Sequence, residues 1–418
     1  MKHLSCILLF ALLSLAVNAR GQHVKLIMGS WRTEDISQMR SLLARFTMEH
    51  PEIQVVFDPT PATEYDAVIK AQLKGGTAPD VFYLRSYAVS KDLFEQGFLE
   101  PLTDLPGLRE NFPPATCDPW THDQTVYGVP MIATSHGVYY NQDIFERLDL
   151  AIPRTWEELL AAAQTIHRAG IIAFANASGD AWTLNELVLY SIAPNFLGGK
   201  TGRNEYLSGI RCFNDTYMVR TFAAVLSLRP FLPPNQRLLG YGDSLQLFAQ
   251  GKAAMWFGGS WDIPFFEQHA RSFAWGVFAP PPPAGSPSRL TFHLDAGVGL
   301  NSASRHKEAA RKLLTRLCQP RFGQLMADEL PGFFPMHEKL PLLSNSHAAQ
   351  FLALNQDRET DIRFVWERLR EGSPSGYDLT QDAVLAIING NASPQNAADG
   401  LQAGLRSWFE PAMFCGGN

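Results

Sequence analysis

The sequence predicts an α/β protein of two lobes, and three observations predict it. Between Val24 and Leu84, apolar runs alternate with amphipathic segments in the order strand, helix, strand, helix, strand, which requires a parallel sheet with crossover helices. From about Leu159 to Phe292 the chain reads as a second lobe of the same class. Between Phe248 and Asp262 a helix end, a buried strand and a small-residue turn adjoin one another, as Phe-Ala-Gln-Gly-Lys-Ala-Ala-Met-Trp-Phe-Gly-Gly-Ser-Trp-Asp. Open α/β sheets place ligands outside the carboxyl ends of their strands, so that turn is the first candidate site.

Taken in order, Met1 to Ala19 reads as an export signal. Lys2 and His3 precede an apolar core, Leu4–Val17, too short for the ~20 residues of a membrane helix. Val17 and Ala19 put small residues at the −3 and −1 positions of a cleavage site. No cysteine stands there, so the expectation is a periplasmic protein without a lipid anchor. Val24–Met28 is then a strand. Thr33 is expected to cap the next helix, whose buried face is Ile36, Met39, Leu42, Leu43 and Phe46. Ile53–Phe57 is a strand, Tyr65–Lys74 a helix and Pro79–Leu84 a strand. A helix over 86–96 ends at Gly97, and Pro101–Pro119 is a proline-rich loop.

Tyr127-Gly-Val-Pro130 precedes a second apolar strand, Gly137–Asn141, and Thr155 with Glu158 forms a capping box for the helix that follows. The run from Asp180 to Glu186 brings Trp182 and Asn185 to another helix entrance. Gly251 suits the left-handed position after a helix. Ala253–Phe257 lacks polar alternation, as a strand buried on both faces does. Pro280–Pro283 is a stiff surface loop, His293–Leu300 a strand, and Ser304–Leu317 a helix with Ala309, Ala310, Leu313, Leu314 and Leu317 along one side. Gly332–Pro335 marks a further crossing between lobes. The tail is helical over Leu379–Ile388, stopped by Asn389-Gly390, and again from Ala397 to Trp408 behind Ser393 as cap and Pro394.

Together these motifs resemble the bacterial extracellular solute-binding proteins of family 1, the maltodextrin-binding-protein type. The motifs that carry the resemblance are the Gly-x-Pro strand at 128–130, the Tyr-Tyr-Asn strand at 139–141, the Pro-x-Thr-Trp-x-Glu-Leu helix start at 153–159 and the Gly-Lys-Ala-Ala-Met run at 251–255. The resemblance implies a two-lobed periplasmic-binding-protein fold of type II, with discontinuous lobes joined by crossover strands. The lobes would be 20–133 with 296–332, and 134–295 with 333–418. It also implies the substrate-capturing component of an ABC importer, a monomer without a cofactor that closes by a hinge on a mono- or oligosaccharide. A permease in the membrane would then recognise the closed form.

Composition narrows the alternatives. A net charge of −6 with pI near 6.0 leaves no basic stripe for nucleic acid, and 46% hydrophobic residues suffice for two cores. No His-Glu-x-x-His, P-loop, G-x-S-x-G or complete G-x-G-x-x-G occurs, and the histidines lie scattered, so neither a metal site nor a familiar catalytic motif stands out. Beyond the signal, Cys117, Cys212, Cys318 and Cys415 allow three pairings in an oxidising compartment, among which sequence does not choose. Two rival readings stay open. One is a binder of a phosphorylated polyol such as a glycerophosphodiester, to which Arg32 and Arg85 would supply cations. The other is a glycan-active hydrolase, which needs only two carboxylates ~5–9.5 Å apart.

Sugars have apolar ring faces and hydroxyl rims, which suit aromatic platforms edged by Asp, Glu, Asn and Arg. Trp31 and Glu34 follow the carboxyl end of the first strand, and Asp80, Tyr83 and Arg85 are expected at or near that of the third. Thr134 and Asp295 stand at the two changes of lobe, and Gly259, Trp261 and Asp262 form the small-residue turn. Trp182, Asn185 and Tyr377 offer further walls. Trp261 corresponds to the stacking Trp of the family resembled. From sequence, Trp261→Ala is expected to weaken sugar binding while leaving the melting temperature of the empty protein nearly unchanged. Trp256, inside the strand, is expected in the core.

Overall fold

In the computed structural model, residues 23–339 and 342–415 are described, and the export signal expected over 1–19 lies outside them. β1 (Val24–Ser30), β2 (Ile53–Pro59) and β3 (Val81–Arg85) run parallel in the order β2-β1-β3. The intervening helices bury the apolar stripes written in the sequence. α1 (Ile36–Glu49) turns in Met39, Leu42, Leu43 and Phe46, and α2 (Tyr65–Gly75) turns in Tyr65, Ile69 and Leu73. Thr33 does not cap α1: the helix starts after Asp35, whose carboxylate is taken by the Arg32 fork at 2.7 and 3.0 Å. α3 (Ala88–Glu95) follows β3, and the proline-rich loop contains two single-turn helices.

β4 (Gly128–Asn141) is one strand of 14 residues where the sequence suggests two short ones. The polar middle, Thr134-Ser135-His136, stays extended because other strands flank it. Next come α4 (Trp156–Arg168), capped by the Thr155 hydroxyl, β5 (Ile172–Phe174) and α5 (Tyr241–Ala249). Gly251, at φ 67°, takes the left-handed turn into β6 (Ala253–Gly259), which is buried along its whole length. β7 (Trp275–Phe278) and β8 (Arg289–Leu300) complete the main ladder, in the order β2-β1-β3-β8-β4-β6-β5, with β7 also on β4.

β4 and β8 run from one half of this ladder to the other. Residues 296–300 of β8 pair with β3, while residues 136–140 of β4 pair with β6. Between these contacts the two strands pair with each other. Leu294 faces Ala133 and Ala296 faces Ile132, which leaves Asp295 as the extra residue of a bulge. Phe334 crosses at the same level, exchanging backbone bonds of 2.8 and 2.9 Å with Ala133.

α6 (Lys307–Leu317) and α7 (Pro320–Glu329) fold back on β1 and α1, with Ala309, Ala310, Leu313, Leu314 and Leu317 of α6 buried as expected. The chain just beyond Phe334 still leans on this half: Glu338 N–H donates to the Asn111 carbonyl at 2.8 Å. α8 (Gly376–Asn389) and α9 (Pro394–Leu405) cover the other half, with Gly390 at φ 78° ending α8 and the Ser393 hydroxyl capping α9. Among the pairings left open by sequence, the structure has Cys212–Cys415, with Cys117 and Cys318 as thiols. The halves also meet at the rim, where α3 packs on the turn Arg368–Arg370 and Lys91 Nζ lies 3.3 Å from Glu371 Oε1. Among the described residues no helix is long and apolar enough to cross a membrane.

Candidate functional site

The carboxyl ends of β1 and β3 build one wall. Trp31, the first residue after β1, stands edge-on to Tyr65 at 5.5 Å and Tyr83 at 5.3 Å. Arg85, the last residue of β3, lays its guanidinium 4.5 Å above the Trp31 ring and donates to Asp66 Oδ1 at 2.8 Å. Its register partner on β8 is Ala296, next to the bulged Asp295. Glu34 is exposed at the margin, 3.7 Å from Arg32.

Asp80 does not join them. It precedes β3, at the end of the strand opposite Arg85. Its carboxylate accepts from Ile27 N–H at 2.9 Å and from the Ser304 hydroxyl at 2.6 Å, so it fastens β1 to the exit of β8. The expected ligand contact is a structural clamp.

The opposite wall rises from the turn after β6. Trp261 Nε1 donates to the Tyr241 hydroxyl at 3.1 Å, and the Tyr241 hydroxyl donates to Asp262 Oδ1. Trp256 Nε1 donates to Asp262 Oδ2 at 2.9 Å, and the Trp182 ring packs 5.0 Å from Tyr241. Asp262 is therefore occupied inside the protein. Burial pushes its carboxyl up to about 6, against the hydrogen bonds from Trp256 and Tyr241. Expected at the ligand, it instead orients the aromatic wall. Gly259 offers no free backbone N–H either: that group donates to Asp262 at 3.3 Å, and its carbonyl accepts from the Tyr139 hydroxyl at 2.7 Å. A Cβ at Gly259 would lie 2.0 Å from the Trp261 ring, so glycine is what allows the ring to fold over the turn.

Between the walls lies a buried polar cluster centred on Arg363. Its Nη1 is 3.0 Å from Glu186 Oε2 and 3.8 Å from Asp295 Oδ1, and its Nε is 3.4 Å from His136 Nε2. The guanidinium also sits over the rings of Trp366, at 4.8 Å, and Trp261, at 5.5 Å. Asp295 pairs with His293 Nε2 at 2.9 Å, and the Tyr377 hydroxyl donates to Glu186 at 2.6 Å. Thr134 is fully buried, its hydroxyl 3.4 Å from the His293 ring. Asn185 donates to the Tyr190 hydroxyl at 3.0 Å, while its buried Oδ1 has no partner. It shares with Glu186 a π-helical turn, Leu184–Leu189, a geometry often met at functional sites.

Burial, with Arg363 next, holds His136 and His293 below the ordinary imidazole range. A histidine kept neutral in the folded state lets the unfolded chain bind protons first as pH falls through ~6.5. Stability should therefore drop on acidification. Asp262, with its raised carboxyl, acts in the opposite sense, chiefly below pH 6. The melting temperature should fall between pH 7.5 and 5.5, and His136→Gln should flatten that slope. An identical slope in the variant would show that His136 does not carry the effect.

A cavity of about 740 Å³ lies apart from these residues, between the edge strand β5 and the 229–238 loop. Among the described residues no group of His, Cys, Asp and Glu is placed to hold a metal ion.

The model of the bacterial extracellular solute-binding protein family matches residues 29–317, more than half of the chain. The chain belongs to that family. Among its relatives, this solute-binding protein is 26% identical over 392 residues to the multiple sugar-binding protein of Streptococcus mutans, covering 89% of this chain and 87% of the relative. It is 23% identical over 340 residues to the mannitol-binding protein of Pseudomonas aeruginosa, covering 76% and 74%. Among solved structures, a chitin oligosaccharide binding protein superposes with a TM-score of 0.80 at 20% identity, covering 93% of this chain and all of that one. The solute-binding protein RafE in complex with raffinose does so with a TM-score of 0.77 at 23% identity, covering 93% and 99%.

Several residues of this solute-binding protein's junction escape a sequence reading. Asp66, His136, Glu186, Tyr241, His293, Arg363 and Trp366 belong to the walls or the cluster, yet none is among the residues expected at the ligand. Glu186 and His293 left a signal, since they end and open segments already singled out. Arg363-Phe-Val-Trp366 sits in a stretch without periodicity, and only its pairing partners reveal it.

Proposed function

We propose that this solute-binding protein captures a mono- or oligosaccharide between its lobes and delivers it to an ATP-driven importer in the membrane. The observation that carries this is the facing of Trp31 and Arg85 on one wall by Trp182, Tyr241 and Trp261 on the other, with Glu186, Asp295 and Arg363 between them. Rings serve sugar faces, and charged groups in a mostly dry site serve hydroxyls. The names of the relatives agree with such a ligand. The ligand-contacting set is Trp31, Glu34, Arg85, Trp182, Trp261, Asp295 and Tyr377, with Thr134, Asn185, Gly259 and Asp262 behind them.

The lobes are taken as 20–133 with 296–332, and 134–295 with 333–418. The exchange of strand partners along β4 and β8 and the crossing at Phe334 support that division. Ligand contacts made to both lobes would favour the closed form, which the permease then meets on a monomer in the periplasm. The two cations that the sequence offered to a phosphorylated polyol are both paired, Arg32 with Asp35 and Arg85 with Asp66.

A thermal-shift screen with neutral and acidic sugars and phosphorylated polyols, followed by chromatography of the recovered ligand, tests this. A sugar should raise the melting temperature by several degrees and be recovered unchanged. Cleaved sugar would instead establish a hydrolase, and a response to polyol phosphates alone would overturn the sugar reading.

A further inference from the structure

Arg370 is the cation in the junction whose charge finds no carboxylate. Its guanidinium lies 4.0 Å over the Trp366 ring and 4.0 Å over the Tyr377 ring. Its side chain makes no hydrogen bond or ion pair with the described residues, and the buried Nη1 has no partner. The neighbouring carboxylates are committed: Glu186 to Arg363 and Tyr377, Asp295 to His293, and Asp66 to Arg85. Cation–π contact with the two rings offsets part of the cost of burial. It uses the faces of the guanidinium, however, and leaves the N–H edge unused.

The place matters as much as the pairing. The turn that carries Arg370 packs on α3 of the first lobe, and the next residue, Glu371, meets Lys91. Burial lowers the Arg370 pKa; Tyr377, Glu186 and Asp66 act against that effect and Arg85 adds to it. A planar fork whose buried Nη1 has no partner is matched by a planar or tetrahedral oxyanion, which accepts two parallel hydrogen bonds and neutralises the charge. Neutral hydroxyls can accept from the fork but bring no charge to balance it.

The geometry points to a ligand that is an anionic saccharide, its carboxylate or phosphate bound in the plane of the Arg370 guanidinium that stacks on Trp366 and Tyr377. This assignment rests on the saccharide reading above and narrows it to sugars bearing one acidic group, either a uronate or a sugar phosphate.

Titration calorimetry on the full mature chain tests it with matched probes: oligosaccharides of neutral hexoses, the same oligosaccharides with a terminal uronate, and hexose 1-phosphates against free hexoses. At least one acidic probe should bind tenfold or more tighter than its neutral partner, with the advantage shrinking as salt is raised. Uronates and phosphates are separate arms, so the winning arm identifies the source of the oxyanion. In Arg370→Gln the ratio of acidic to neutral affinity should fall toward one, and the melting temperature of the empty variant should equal or exceed that of the parent, since a half-buried cation without an ion-pair partner has been removed. Equal affinity for neutral and acidic partners, or a ratio unaffected by Arg370→Gln, would overturn the anionic assignment and leave the saccharide reading standing. No response to any sugar, neutral or acidic, would overturn both.

Discussion

Replacing Trp261 with alanine should weaken sugar binding at least tenfold and also lower the melting temperature of the empty protein. The second effect departs from the sequence-based expectation, and the reason is burial. The ring is only 7% exposed, its Nε1 bonds the Tyr241 hydroxyl, and it packs at 5.4 Å against His136. Truncating a buried Trp typically costs about 3–5 kcal/mol. Loss of stacking on a ligand adds about 0.5–1.5 kcal/mol per aromatic contact beyond the area term. The wall is also mechanically linked: without Trp261, the Tyr241 hydroxyl keeps Asp262 but loses its donor. Calorimetric titration below the variant's melting point separates the two losses. Trp261→Phe should retain most of the stability while losing the bond to Tyr241. If Trp261→Ala binds sugar as the parent does, the ring is a core residue and the stacking role is wrong.

Arg363→Met is expected to be the most destabilising single change in the junction. Arg363 is 3% exposed and is the shared counter-ion of Glu186 and Asp295, and its removal leaves two carboxylates partly unpaired in a dry site. Breaking a buried ion pair from one side costs about 3–5 kcal/mol. The remaining partners, Tyr377 for Glu186 and His293 for Asp295, cushion the loss without supplying a full positive charge. A second substitution isolates the electrostatic cause. Glu186→Gln in the Arg363→Met background should recover part of the lost stability, because it removes one of the stranded charges. Denaturant melts of the parent, both single variants and the double variant give the coupling directly. Additive losses would mean that Arg363 acts through packing on Trp366 and Trp261 instead. Sugar affinity should fall in Arg363→Met as well, since the same side chain braces both aromatic surfaces.

Both results turn on residues of very different visibility. Trp261 is legible from its neighbours in the chain: a buried apolar strand, two glycines and a small residue precede it. Arg363 is not. It lies 68 positions after Asp295 and 177 after Glu186, in a stretch whose pattern names no element. Asp80 shows the converse error. Expected near the carboxyl end of the third strand, it precedes that strand instead, because a local pattern does not say at which residue the strand begins. Asp262 and Gly259 stand in the turn the sequence singles out, but hydrogen bonds from Trp256, Tyr241 and Tyr139 occupy the polar atoms expected at the ligand.

What the sequence by itself determined, apart from the cap expected at Thr33, was what depends on neighbours within one or two turns. The apolar stripes of α1 and α6, the Thr155 and Ser393 caps, the left-handed stops at Gly251 and Gly390 and the unbroken burial of β6 all follow from side-chain period, capping hydroxyls and backbone freedom. Strand pairing and register were decided only by the tertiary structure, because a strand's own residues specify which faces are apolar but not which distant strand lies alongside. Pairing β4 with β8 merged two predicted strands into one, and the extra residue in that pairing is the bulge that turns Asp295 toward His293 and Arg363. The junction's electrostatics arise in the same way. Each charge there is tolerable only because a partner from elsewhere in the chain arrives within about 3–4 Å, and Arg370, for which none arrives, could be recognised only after every other partner had been placed.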